Sequence, residues 1–254
     1  MDTVRSNNTM KKFARFILDG VNHLLWPAVC TNCGKSVCES DGELCRNCWG
    51  KLLAFTTADY CPRCGKDVSK YAILNGACPD CQGKDIHFDK IARGGSYGGS
   101  LQEIILAFKK GRTELNDVLG LLIDSALQGS SFYGRIDLFI PVPLHWSRRL
   151  ARGYNQSLLL AKKLKHPSAQ TCTDLVRIRR TRPQPSLTTA SGRAANVADA
   201  FAVRRGHGFK DRRICLVDDV KTTGATLNEC AKTLKQAGAA EVFALVAAVA
   251  GQNS

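Results

Sequence analysis

The chain has 254 residues, enough for one or two domains whose cores need no covalent staples. Hydrophobic residues make up 44% and charged residues 23%, which excludes global disorder, collagen and coiled coil as the main architecture. The net charge is +14, and the segment from Pro141 to Arg213 alone carries 16 Lys/Arg against 3 Asp/Glu. That concentration points to a polyanionic partner, either a phosphorylated small molecule or a nucleic acid.

Taken from the N-terminus, residues 1–29 read as a short amphipathic helix, roughly Lys11 to Leu25, ended by Pro27. Its apolar set, Phe13, Phe16, Ile17, Val21, Leu24 and Leu25, recurs at helical spacing and is expected to pack on the body of the protein. No secretory signal is read there, and the longest apolar run, Val242 to Ala250, is too short to span a bilayer. A cytoplasmic location is expected.

Nine of the 12 cysteines lie between Cys30 and Cys81. In a reducing compartment such pairs more often bind metal than form disulfides. Four Cys-x-x-Cys knuckles follow in order: Cys30/Cys33, Cys45/Cys48, Cys61/Cys64 and Cys78/Cys81. Zinc takes four thiolates in a tetrahedron, and each knuckle places two sulfurs on one side of an ion. Gly34 and Gly65 follow the second Cys of their knuckles, where a tight turn favours glycine. Two structural Cys₄ zinc ribbons over residues 30–84 are the direct reading, replacing a core that this segment lacks. Pairing of the knuckles, sequential or interleaved, is left open, and iron–sulfur ligation is the weaker alternative. Cys38 is a spare thiol, while Cys172, Cys215 and Cys230 lie on apolar faces and read as core.

From about residue 85 strands alternate with helices, which predicts a parallel α/β sheet. Strands are expected over Ile86–Tyr97, Ile136–Val142, Leu175–Ile178, Arg213–Val217 and Glu241–Val249, and helices over Leu101–Lys110, Leu115–Gln128, Gln156–Lys165 and Ala225–Ala237. Gly238 is the expected stop of the last helix, and Arg179–Ala190 is expected to be a polar loop.

The sharpest chemistry follows the strand at Arg213. Asp218 and Asp219 stand at its carboxyl end, then Lys221, Thr222, Thr223, Gly224, Ala225 and Thr226 lead into a helix. Ligands of open α/β sheets lie outside the strand ends, and loop amides with a helix N-terminus make an anion site. Two carboxylates beside a phosphate cradle make sense as acceptors for a vicinal diol. Phosphate plus diol means a 5-phosphorylated ribose. A second element runs from Ile140 through Pro141-Val142-Pro143 to Arg148, Arg149, Arg152, Gly153, Tyr154, Asn155, Gln156 and Ser157. Its arginines suit bidentate oxyanion contacts, and Trp146 and Tyr154 are read either as stacking groups for single-stranded bases or as core.

The Asp-Asp-x-x-Thr-Thr-Gly run resembles the phosphoribosyl-diphosphate (PRPP) loop of type I phosphoribosyltransferases, with Ala225 where a second Gly is usual. Together with the knuckles, the Arg-Arg-x-x-Arg-Gly-Tyr-Asn-Gln run and Arg-x-x-x-Thr-Arg-Pro-Gln from Arg177, it looks like the ComF/GntX family over about residues 24–250. Ser191-Gly192-Arg193 departs from the Glu-Arg pair expected there. The resemblance implies a type I phosphoribosyltransferase fold over 85–254 and a role in DNA uptake by transformation. It further implies PRPP held by Asp218, Asp219 and Lys221 to Thr226, with Asp218 and Asp219 as catalytic residues. Arg148, Arg149 and Arg152 would hold the diphosphate with Mg²⁺, and the element from Arg177 falls where a mobile loop would close over the site. A transferase with an unidentified acceptor, a PRPP-responsive binding module and a single-stranded DNA-binding competence factor all fit these residues.

Overall fold

The computed structural model describes residues 28–37, 42–81, 83–179, 181, 189–204 and 208–251. The N-terminal helix expected over Lys11–Leu25, the spare Cys38 and loop residues 182–188 lie outside the described residues. The chain forms two compact units, 1–50 and 51–254. Their boundary falls between the two cysteine pairs of knuckles, so the second ribbon shares a unit with the sheet.

Each ribbon opens on the same hairpin. Val29 bridges Ser36 in the first, and Tyr60 bridges Asp67 in the second. Gly34 (φ +73°) and Gly65 (φ +79°) occupy the left-handed turn after each knuckle, a conformation that a Cβ disfavours. Their amides donate to the Cys30 and Cys61 carbonyls at 2.9 and 2.7 Å. Helix α1 (Arg46–Leu53) starts inside the second knuckle and carries Cys48.

The larger unit is built on a five-stranded parallel sheet in the order β1-β7-β6-β2-β3. The strands are β1 (Lys90–Ser96), β2 (Leu138–Pro141), β3 (Gln170–Thr171), β6 (Arg213–Lys221) and β7 (Glu241–Val249). β6 and β7 are central and apolar along most of their length, as strands covered on both faces must be. On one face Ile214, Leu216, Val242 and Ala244 pack with Leu227, Cys230, Ala231 and Leu234 of helix α7 (Ala225–Gln236). Helices α2 (Gly99–Lys109), α3 (Leu115–Gln128), α4 (Trp146–Arg152) and α5 (Gln156–Ala161) precede the central strands. Gly94 of β1 admits α3 closely: a Cβ there would come within 2.6 Å of Leu122 Cγ. Phe132 stacks on Phe243 at 4.5 Å between ring centres. The expected fold class, a parallel α/β sheet flanked by helices and preceded by a cysteine module, is the one observed.

Among the described residues, five α-helices and strands go beyond those expected from the sequence: α1, β3, α4 across the basic element, α6 (Ala190–Val197), which begins where the expected polar loop ends, and β5 (Phe201–Val203), which pairs antiparallel with β4 (Leu175–Arg177) as a separate small sheet. β6 also runs four residues past Val217, with Asp218, Val220 and Lys221 in register with Val246, Ala248 and Val249.

The second ribbon is fastened to β1. Pro62 O accepts from Ile91 N at 2.8 Å, and Phe55 O accepts from Ser96 N at 2.8 Å. Arg93, buried in β1, pairs with Asp67 and lies 4.7 Å from the Tyr60 ring centre. Residues 55–62 therefore cover the free edge of β1, which would otherwise offer unpaired backbone to other chains.

Candidate functional site

The carboxyl ends of β2 and β6 lie side by side, with Val142 N donating to Val217 O at 2.9 Å. At this rim Asp218 is partly exposed and Asp219 is buried. Ser157, in the first turn of α5, donates its hydroxyl to Asp218 Oδ1 at 2.9 Å, and the Asp219 amide donates to the same oxygen at 2.9 Å. Lys109, the last residue of α2, pairs with Asp219 Oδ1 at 2.8 Å. Burial first and the Asp219 charge second push the Asp218 carboxyl up to about 7, against the pull of Ser157, the Asp219 amide and Lys109.

The turn after β6 is open to solvent. Thr222 is exposed, and Thr223, Gly224, Ala225 and Thr226 are partly so. Gly224 takes φ +84° and is the N-cap of α7. The first amides of a helix have no intrahelical acceptor, so a 12-residue helix starting at this turn presents donors and a positive dipole end. Lys221 departs from the expectation of a loop ligand: it ends β6 and is buried.

The basic element reaches the same rim through its ends. Asn155 caps α5, accepting from Ser157 N at 3.1 Å, and donates to Val142 O at 3.2 Å. One asparagine thus ties the loop's exit to its entry beside the acidic pair. Arg148, Arg149 and Arg152 all fall on α4. Arg152 is exposed, with Nη1 at 3.4 Å from Gln156 Oε1. The two aromatics divide. Tyr154 packs on Phe108 at 5.9 Å and donates to its carbonyl, so it is a structural group. Trp146 stands 66% exposed, with Leu150 75% exposed one turn on.

The cysteines group sequentially, as Cys30, Cys33, Cys45, Cys48 and as Cys61, Cys64, Cys78, Cys81. Tetrahedral zinc with Zn–S near 2.3 Å sets its sulfurs ~3.8 Å apart. The Sγ pairs Cys33–Cys45 and Cys61–Cys81 stand at 3.8 Å, Cys78–Cys81 at 3.7 Å and Cys64–Cys78 at 3.6 Å. The tetrads therefore fit zinc without rearrangement. Burial works against the Cys30 and Cys61 thiolates, yet backbone N–H groups around each knuckle outweigh it and hold both below the ordinary thiol value. Each tetrad is closed by four thiolates, which is the pattern of a structural ion.

The family model for the double zinc ribbon domain matches residues 21–82. Competence protein F of Haemophilus influenzae is 31% identical over 222 residues, covering 84% of this chain and 93% of the relative. The chain belongs to the ComF family. Competence protein ComFC of Bacillus subtilis is 28% identical over 208 residues, covering 79% of this chain and 81% of the relative. Among solved structures, a purine phosphoribosyltransferase from Pyrococcus horikoshii is similar at 16% identity and a TM-score of 0.30, over 50% of this chain and 68% of that one.

Sequence reasoning missed two residues at the rim of this ComF chain. Lys109 could have been found only as the basic end of an amphipathic helix whose apolar face includes Phe108. Ser157 closes the Arg-Gly-Tyr-Asn-Gln-Ser run, but nothing in the sequence joins it to Asp218, 61 positions away. Among the described residues no helix is long and apolar enough to cross a membrane.

Proposed function

We propose that this ComF-family protein binds PRPP, or a closely related phosphoribosyl compound, in the service of DNA uptake. The observation that carries the reading is the meeting of the Asp218–Asp219 pair with an exposed glycine turn at the N-terminus of α7. The pair offers acceptors to the ribose diol, and the Thr222–Thr226 turn offers amide and hydroxyl donors to the 5-phosphate. Arg148, Arg149 and Arg152 would take the diphosphate, with Mg²⁺ sharing its charge. Neutralising that leaving group is the main electrostatic task of phosphoribosyl transfer, in which positive charge develops on the sugar. The names of the relatives, competence proteins and DNA utilization proteins, support the cellular setting.

The test is calorimetric titration of the zinc-loaded chain with PRPP and Mg²⁺, compared with Asp218→Asn/Asp219→Asn. The double variant should bind at least about tenfold more weakly, ~1.4 kcal/mol. Equal affinity in the two proteins removes the acidic pair from the site. A second reading, single-stranded DNA binding, is favoured by the exposed Trp146 and Leu150 on the arginine-bearing α4. The two readings are compatible, since both ligands are polyanions.

A further inference from the structure

We infer that Lys221 is a strut between the second cysteine tetrad and the glycine turn, so that filling this tetrad, and not the first, holds the turn in its ligand-accepting shape. The inference deepens the reading of that turn as a phosphate cradle and gives Lys221 a positioning role in place of a ligand role.

A chain of contacts through β7 and the segment leaving the ribbon joins the ribbon to the turn. Lys221 lies in register with Val249, and its carbonyl accepts from Ala250 N at 2.8 Å. Gly65, next to Cys64, packs on that same Val249: a Cβ on it would come within 3.0 Å of Val249 Cγ2 and 3.3 Å of Ile91 Cγ2. The chain leaving the ribbon is tied to the first turns of α7, where Asn228 accepts from His87 N at 2.6 Å and donates to Asp85 O at 3.0 Å. Arg63, inside the ribbon knuckle, donates to the Ile86 and Asp89 carbonyls, both at 2.7 Å, and fixes the same exit segment.

The Lys221 side chain completes the link. A Cβ on Gly224 would come within 2.9 Å of Lys221 Cε and 3.5 Å of Nζ, so the ammonium lies under the turn. Among the described residues no carboxylate forms an ion pair with it. Burial pulls its ammonium below the ordinary lysine value, and Lys66 and Lys84 add to that pull, while the Cys64 sulfur and, less, Cys81 oppose it. A buried lone ammonium is expensive to keep. Four thiolates around one Zn²⁺ would carry two net negative charges, and a filled tetrad, joined to Lys221 through Gly65 and Val249, would offset that cost. Emptied of its ion, the ribbon loses both its own fold and the partner of Lys221. The turn then loses its floor.

The experiment uses the full chain and reads hydrogen–deuterium exchange over residues 221–228, together with zinc content per chain. Cys64→Ser should lose one zinc and speed exchange there by about tenfold. Cys30→Ser should also lose one zinc and leave these amides unchanged. Lys221→Met should keep both ions and still speed exchange over 221–228. Protection at 213–217 in the centre of β6 reports that the sheet is intact; if Cys64→Ser loses it, Lys221→Met decides. The inference is overturned if Lys221→Met leaves 221–228 unchanged, or if Cys30→Ser loosens them as much as Cys64→Ser does. These readouts need no ligand. Failure of the wild type to bind PRPP would sink the proposed ligand and leave the strut standing or falling on exchange alone.

Discussion

Replacing Asp218 by Asn should stabilise the protein more at alkaline than at acid pH. The carboxyl is held up at about 7 in the folded chain, by burial first and Asp219 second, while an unfolded Asp titrates near ~3.9. Between these values the folded state binds the proton and the unfolded state does not. Stability from this group is therefore fully present below ~4 and is lost as pH rises, until the loss is complete above about 7. Each unit is worth ~1.36 kcal/mol, so the window from pH 5.5 to 7 holds roughly 2 kcal/mol. The partial exposure of Asp218 brings the expected effect to about 1–2 kcal/mol. The assay is denaturant unfolding of zinc-loaded wild type and Asp218→Asn at pH 5.5 and pH 8. Thiolates and other titrating groups away from the acidic pair are common to both proteins and cancel in the difference. The stability of the variant relative to wild type should grow by ~1–2 kcal/mol from the lower to the higher pH. Lys109 pulls the same carboxyl down, so in a Lys109→Met background the growth should continue to higher pH. A difference that stays constant across the range would refute a carboxyl under strain and leave Asp218 an ordinary surface acid.

Gly94→Ala should destabilise the sheet by about 1–3 kcal/mol through overpacking, because its Cβ would meet both Leu122 Cγ at 2.6 Å and Ala247 O at 2.7 Å; unchanged denaturant midpoints would mean that α3 can withdraw freely. Trp146→Ala should weaken single-stranded DNA binding by about 1–3 kcal/mol with a steep loss in rising salt; binding that is indifferent to Trp146 would move any DNA surface away from α4.

What the sequence made legible depended on local periodicity. The helix over Leu115–Gln128 and the strand over Glu241–Val249 have the limits their apolar patterns set. The knuckles declared themselves because ligand spacing is a short-range property. The same logic explains the misses. The apolar pattern of β6 stops at Val217, but backbone pairing with Val246 and Val249 continues regardless of side-chain polarity. Helix α6 is ASGRAANV, polar and mostly small, with a cap from Thr189 that only the folded backbone discloses. Sequential grouping of the tetrads, Lys109 on Asp219 and Asp67 on Arg93 are all long-range pairings, and no periodicity encodes them.

The rim of β6 gathers features that folding alone would avoid. Two adjacent carboxylates share a partly enclosed space, a buried lysine forms no ion pair with a carboxylate among the described residues, and a left-handed glycine turn opens the following helix. Elsewhere in the same sheet local preference and packing agree: alternate residues of β6 and β7 are apolar and buried where α7 covers them. A concentration of local costs against a consistent background is what a ligand site looks like in physical terms. The existing partners mark how those costs are contained. Ser157 and Lys109 quiet the two acids from α5 and α2, and Gly65 of the second ribbon packs on Val249, the register partner of Lys221. A bound diol and cation would take over the first task, but nothing in a phosphoribosyl ligand can take over the second. On that proposal the second ribbon, fastened to β1 through Pro62 and Phe55, would be in place before the ligand arrives.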